Sequence, residues 1–203
     1  DQLGYAHFVE HMAFNGTAHF KKNELIKYLQ SIGVRFGADL NAYTSFDETV
    51  YQLSVPTDTA RLVEQAFLVL EDWAHGQLFD STEVVNERGV VQEEWRSSLG
   101  AGERMQRQYI PVILKDSKYA VRLPIGTPES ILRAQPSVLK RFYHDWYRPD
   151  LMAVVAVGDF DVAQIEATIK QHFGGIPPVA NPRPRTTATV PDNKEPLIAI
   201  VTD

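Results

Sequence analysis

His7-Phe8-Val9-Glu10-His11 limits this chain more than any other stretch, because its three functional side chains fall within five consecutive residues. Two histidines four apart lie on one face only if the backbone is helical. Their imidazoles can then share one metal ion, with the Glu10 carboxylate beside it. Zinc suits imidazole nitrogen, and a catalytic zinc site uses three protein ligands and an open position for water. The stretch supplies two ligands, His7 and His11, and a base, Glu10. A third ligand must come from elsewhere in the chain. An ordinary helix face carrying two histidines is the plainer reading, and the choice turns on whether that third ligand exists.

The fourth helix in the chain answers this. Asp80 caps it, with Glu83 three residues on in a capping-box arrangement, and it runs to about residue 99 before Gly100. At about 100° per residue, Val84, Val90, Val91 and Glu94 fall within roughly 60° of Glu87, while Glu93 points away. Glu87 and Glu94 therefore share the apolar stripe. A carboxylate on a core-facing stripe is costly unless it is paired or binds a metal. Partial exposure, or pairing with Arg88 or Arg96, is one account of them. With the histidines present, Glu94 is the candidate third ligand.

The remaining pattern is that of an α+β domain. Residues 3–14 read as a helix with Leu3, His7, His11 and Phe14 on one stripe. Residues 24–32 follow as a second helix capped by Asn23. Residues 35–44 and 49–55 read as a hairpin, the second strand alternating through Tyr51, Leu53 and Val55. A third helix starts at Pro56-Thr57, with Leu62, Ala66, Val69, Leu70 and Trp73 inward. Residues 101–115 form a helix with Pro111 inside it, residues 119–126 are loop, and Thr127-Pro128 opens a short helix. Pro136 starts another, with Val138, Leu139, Phe142 and Trp146 inward. The apolar run 151–157 reads as a strand buried on both faces, and 161–173 as an amphipathic helix.

Pro177, Pro178, Pro182, Pro184, Pro191 and Pro196 are half of the twelve prolines. Residues 176–196 are thus expected to be an extended linker after a zinc-binding domain of residues 1–175. Residues 197–203 are then the first strand of a truncated second domain. Asp1 opens the chain six residues before a candidate metal ligand, so the chain is expected to lack its true N-terminus.

Composition excludes several classes. The chain has 203 residues, 44% hydrophobic and 23% charged, with a net charge of −6. That is globular, and it lacks the basic stripe a nucleic-acid partner needs. There is no cysteine, hence no disulfide framework and no thiolate zinc site. No apolar run is long enough to span a bilayer.

The chain resembles the pitrilysin/insulinase family of zinc metallopeptidases, whose H-x-x-E-H inverts the thermolysin motif. The resemblance is carried by His7-Phe8-Val9-Glu10-His11-Met12-Ala13-Phe14-Asn15-Gly16-Thr17, by Leu40-Asn41-Ala42-Tyr43-Thr44-Ser45, by Glu87-Arg88 followed by Glu94, and by Trp146-Tyr147-Arg148-Pro149-Asp150 leading to Val157-Gly158-Asp159. It covers nearly the whole chain, and the details look closest to large bacterial members. It implies a mainly antiparallel sheet with helices packed on one face, as in mitochondrial processing peptidase. It implies Zn²⁺ on His7, His11 and Glu94, Glu10 as general base, and Glu87 as a second acidic position supporting the site. Asn41, Ala42, Tyr43 and Thr44 match the edge strand to which a peptide substrate adds by backbone hydrogen bonds.

The same resemblance implies an endopeptidase acting on peptides or small unfolded proteins, in the bacterial periplasm or cell envelope. It implies a C-terminal half of the same enzyme as partner, carrying groups without which this length of chain is expected to be inactive. The alternative is a non-catalytic partner subunit of the same fold, which would usually have lost part of the motif. S-ribosylhomocysteinase, a lyase with a related motif, uses a Cys ligand that this chain does not have. A zinc-storing scaffold would need four closed ligands.

Overall fold

The structure is a computed structural model and describes residues 2–203. The motif helix α1 (Tyr5–Met12) is its centre of gravity. It is followed by α2 (Glu24–Ser31), the strands β1 (Leu40–Thr44) and β2 (Thr49–Leu53), and then α3 (Ala60–His75), α4 (Ser81–Ser97), α5 (Ala101–Ile113), α6 (Pro128–Leu132), α7 (Pro136–Trp146) and α8 (Val162–Phe173). The fold is α+β. Among the described residues the sheet is the antiparallel hairpin β1–β2, with Ala42 opposite Tyr51 and Thr44 opposite Thr49.

Two cores meet at α1. Tyr5, Phe8, Val9 and Met12 pack with Val84 and Val91 of α4, Ile131 of α6, and Leu139 and Tyr143 of α7. Ala13, just past the helix, joins Leu25 and Leu29 of α2, Leu40 of β1, and Val69 and Trp73 of α3. Burying a side chain such as Phe8 stabilises by roughly 1.5–3 kcal/mol, so α1 is held on several sides. Its apolar faces turn to these cores, which leaves the His7–His11 stripe to face α4 (ion pairs of both histidines reach Glu94).

Both ends of α1 are fixed by backbone contacts. Gly4 precedes it at φ 79°, and a Cβ built there would stand 2.9 Å from Gly126 Cα, so only glycine fits. At the far end Trp73 Nε1 donates to the Ala13 carbonyl at 3.1 Å, taking up one of the acceptors a helix terminus leaves open. The loop beyond is tied to α3 by the buried Asp72, which accepts from Thr17 Oγ1, from the His19 amide at 2.9 Å and from the His19 ring at 2.8 Å.

Several expectations change. Strand 35–44 begins only at Leu40. Gly37 sits at φ 84° and the Asp39 amide donates back to the Arg35 carbonyl at 2.8 Å, so residues 35–39 turn instead of extending. The third helix starts at Ala60, after an extended Thr59. Residues 118–121 form a 3-10 turn within the expected loop. Asp80 caps α4 as expected, but Glu83 pairs with Lys22 instead of completing a capping box. Val90 is 52% exposed, on the solvent side of the arc assigned to it.

The largest correction concerns residues 151–157. They form no strand and are not buried on both faces: Val155 is 80% and Val157 92% exposed. Residues 197–201 are likewise unpaired, with Ile198 and Ile200 open to solvent. An apolar run shows that a segment is suited to a sheet. It cannot provide the neighbouring strand, and among the described residues none lies alongside either segment.

Candidate metal centre

The centre is built by two helices crossing. α1 brings His7 and His11, one turn apart, with ring centroids 4.7 Å apart. α4 brings Glu94. Its carboxylate spans both rings, with Oε1 3.5 Å from His7 Nε2 and Oε2 3.1 Å from His11 Nε2. One ligand atom from each residue lies within 4.8 Å of the others. Ligands of a tetrahedral zinc at ~2.0–2.1 Å stand roughly 3.3 Å from one another, so the spacing suits that ion. The donors, two imidazole nitrogens and a carboxylate, are also those zinc takes.

The electrostatics point the same way. Burial alone would lower the His11 imidazole, but its hydrogen bonds to Glu87 and Glu94 raise it to about 9. Bonds to His11 and His7 hold the Glu94 carboxyl well below the usual carboxylate range. The two carboxylates thus stabilise positive charge at His11.

Around these three sits a supporting layer. Glu87, two turns before Glu94 on α4, takes the other nitrogen of His11, with Oε1 2.8 Å from Nδ1. Its second oxygen accepts from Asn15 Nδ2 at 2.8 Å, and the same Asn15 amide reaches the His11 carbonyl at 3.1 Å. A carboxylate on the far nitrogen of a metal-binding histidine fixes its tautomer and ring orientation. Neither arginine considered as a partner for these glutamates takes that role. Arg88 donates to the Ala134 carbonyl and Arg96 pairs with Glu93.

Glu10, between the two histidines in the sequence of α1, is buried at 8% exposure. Its Oε2 accepts from Thr44 Oγ1 at 2.5 Å, and Thr44 Oγ1 is 3.1 Å from Thr49 Oγ1 across the hairpin. Behind them the hydroxyls of Tyr51 and Tyr147 meet at 2.8 Å. Burial pushes the Tyr147 phenol up to about 12 and Tyr51 well above its ordinary value, so both stay neutral.

The structure thus brings His7, His11, Glu94 and Glu87 together, and joins the Glu10 carboxylate to Thr44 of β1. Asn41, Ala42 and Tyr43 continue along β1, and among the described residues these three pair with β2 alone. Sequence reasoning missed Asn15, Thr49 and the tyrosine pair. Asn15 lies just beyond the motif helix beside Gly16, where nothing in the sequence links it to Glu87, and Tyr51 and Tyr147 are 96 residues apart with nothing in their spacing to join them.

Comparison with known proteins adds independent findings. The family description "Insulinase (Peptidase family M16)" matches residues 1–108, and "Peptidase M16 inactive domain" matches residues 133–203. The chain is 41% identical over 177 residues to the probable zinc protease PqqL of Escherichia coli, covering 87% of this chain and 19% of that protein. It is 40% identical over 197 residues to a PQQL-like zinc protease of Arabidopsis thaliana, covering 96% of this chain and 20% of that one. Among solved structures, the first half of the periplasmic protease PqqL from Escherichia coli superposes with a TM-score of 0.88 at 39% identity, over 96% of this chain and 41% of that one. The chain spans about a fifth of the length of the curated relatives it matches.

Proposed function

This chain belongs to the insulinase family of peptidases, M16, and on that footing we propose that its centre is the zinc site of an endopeptidase. Its substrates are peptides or small unfolded proteins. One observation carries the reading: His7, His11 and Glu94 converge from two helices, with Glu10 buried on the same helix as the two histidines. Zinc, when bound, lowers the pKa of a water to about 7 and polarises the scissile carbonyl.

The chain's own residues do the rest. His7, His11 and Glu94 hold the ion. Glu87, steadied by Asn15, keeps the His11 ring turned toward it. Glu10 takes the proton of the attacking water and passes it to the leaving amine. The free edge of β1, through Asn41, Ala42, Tyr43 and Thr44, receives an extended peptide as an added strand, fixing the backbone while reading few side chains. The remainder of the longer protein closes over this face and completes substrate binding. By resemblance to the periplasmic relative, the protein works in the bacterial periplasm or cell envelope.

The test is made on the full-length protein. Zinc is measured by metal analysis, and cleavage of a quenched-fluorescence peptide library is followed with and without a chelator. One zinc per site and chelator-sensitive cleavage are expected. A zinc-loaded protein that leaves every peptide intact would move it to the non-catalytic partner class.

A further inference from the structure

If Glu10 is the base, on which reading this inference rests, one of its oxygens must face the attacking water and the other must be held still. Among the described residues, the hydrogen-bond partner of Glu10 Oε2 is Thr44 Oγ1. An ionised carboxylate has no proton to give, so the threonine hydroxyl donates. Its one proton is then committed, and the hydroxyl of Thr49 donates to it from 3.1 Å. Direction is therefore fixed along the series: Thr49 to Thr44, Thr44 to Glu10. The two threonines are directly opposed in the hairpin register, so the backbone ladder that pairs β1 with β2 also sets this series.

Thr44 is the last residue of β1. It therefore stands at two junctions, the end of the strand along which a peptide would lie and the carboxylate that would deprotonate water. We propose that Thr44 is a positioning residue: it ties the orientation of Glu10 to the strand on which the peptide docks. An extended peptide pairing along residues 41–44 immobilises the backbone of β1, and with it the Thr44 hydroxyl. The base is thus brought to its working orientation when substrate is in register. The rotamer of a β-branched threonine is restricted, which suits a donor that must not wander. The packed hydroxyls of Tyr51 and Tyr147 lie behind the hairpin at this point and stay neutral.

This differs from the ordinary expectation for a residue of the docking strand, which is contact with substrate. A substrate contact acts on binding. A base held by Thr44 acts on turnover, because misplacing a catalytic group lowers the rate without weakening the bound complex.

The experiment compares Thr44→Val, which keeps the shape and removes the hydroxyl, with Thr44→Ser, which keeps the hydroxyl. Both are made in the full-length, zinc-loaded protein and assayed with a quenched fluorogenic peptide. The affinity of the same peptide is also measured in the Glu10→Gln background, with and without Thr44→Val, where it is not turned over. Thr44→Val is expected to lower kcat about ten- to a hundredfold, the usual effect of a hydrogen bond to a charged group. KM should stay within about twofold, Thr44→Ser should recover most of the rate, and zinc content and peptide affinity should not move. A raised KM or weakened peptide affinity with kcat retained would make Thr44 a substrate contact and overturn the proposal. So would a loss of kcat that serine does not recover, which marks packing as the cause. A parent protein that cleaves no peptide overturns the underlying reading and this one with it, and is recognised before any substitution is made.

Discussion

Glu87 Oε1 stands 2.8 Å from Nδ1 of His11, on the side of the ring opposite Glu94. The histidine is gripped between two carboxylates seven residues apart on one helix. A helix returns nearly to the same face after seven residues, so α4 needs no distortion to present both. One of them is suited to hold metal and the other to orient the ligand.

Glu94→Gln should abolish stoichiometric zinc binding, while Glu93→Gln should leave it intact. Glu94 reaches both histidines and Glu93 only Arg96. Metal analysis after gel filtration decides between them, and zinc lost from the Glu93 variant alone would reassign the ligand.

Glu10→Gln in the full-length protein should retain zinc and lose peptidase turnover by about 10²–10⁴-fold, the usual contribution of a general base. The amide fills the same space beside Thr44 but does not take a proton. Rapid turnover by a zinc-loaded Glu10→Gln protein would remove Glu10 from that role.

Removing the Asn15 side chain should weaken zinc binding without unfolding the protein. Asn15 steadies Glu87, and through it the His11 ring. Substitutions of such supporting groups commonly lower metal affinity about 10–100-fold. Competition against a calibrated chelator gives the affinity, and circular dichroism shows whether the fold is kept. Zinc affinity equal to the parent's would mean Glu87 is held adequately without it.

Alkaline titration should unfold the chain before it ionises the buried tyrosines. Burial raises the Tyr147 phenol to about 12, against about 10 in an unfolded chain. Above pH 10 the unfolded state therefore binds fewer protons than the folded one, and stability falls as pH rises. The effect is absent below about pH 10 and develops between 10 and 12, reaching at most about 3 kcal/mol from this residue. Tyr51 and Tyr143 are raised as well, so they act in the same direction. Exposed tyrosines such as Tyr43 ionise first with the fold intact, and the tyrosinate absorbance of the buried ones should then appear together with the loss of near-ultraviolet circular dichroism. Smooth ionisation of all eight tyrosines with the fold intact would contradict this.

The convergence of His7, His11 and Glu94 was legible in the sequence because these residues obey helical periodicity. His7 and His11 share a face by spacing alone, and the angle around α4 separates Glu94 from Glu93. Helix caps at Asp80, Thr127 and Asp161 were equally local and formed, whereas Asn23, expected to cap α2, sits at φ 65° and makes no side-chain cap bond. What escaped was set by tertiary approach. Thr44 meets Glu10 because the hairpin folds over α1, and Tyr51 meets Tyr147 because α7 ends beside β2. The misread strand at residues 151–157 failed for a related reason. Its residues suit a sheet, yet a ladder needs a second strand, and no single stretch of sequence reports on one.

The two open ladders at residues 153–157 and 197–201 bear on how such a polypeptide behaves in the tube. Among the described residues each finds no strand partner for its amides and carbonyls, and each turns branched apolar side chains outward: Val155 and Val157 in one, Ile198 and Ile200 in the other. Such edges template pairing with whatever strand they meet first. Expressed alone at high concentration, this length of chain carries its own adhesive. Association and slow precipitation then follow from the same residues that suit it to a larger sheet, and dilution or a competing strand peptide becomes a means of keeping it in solution.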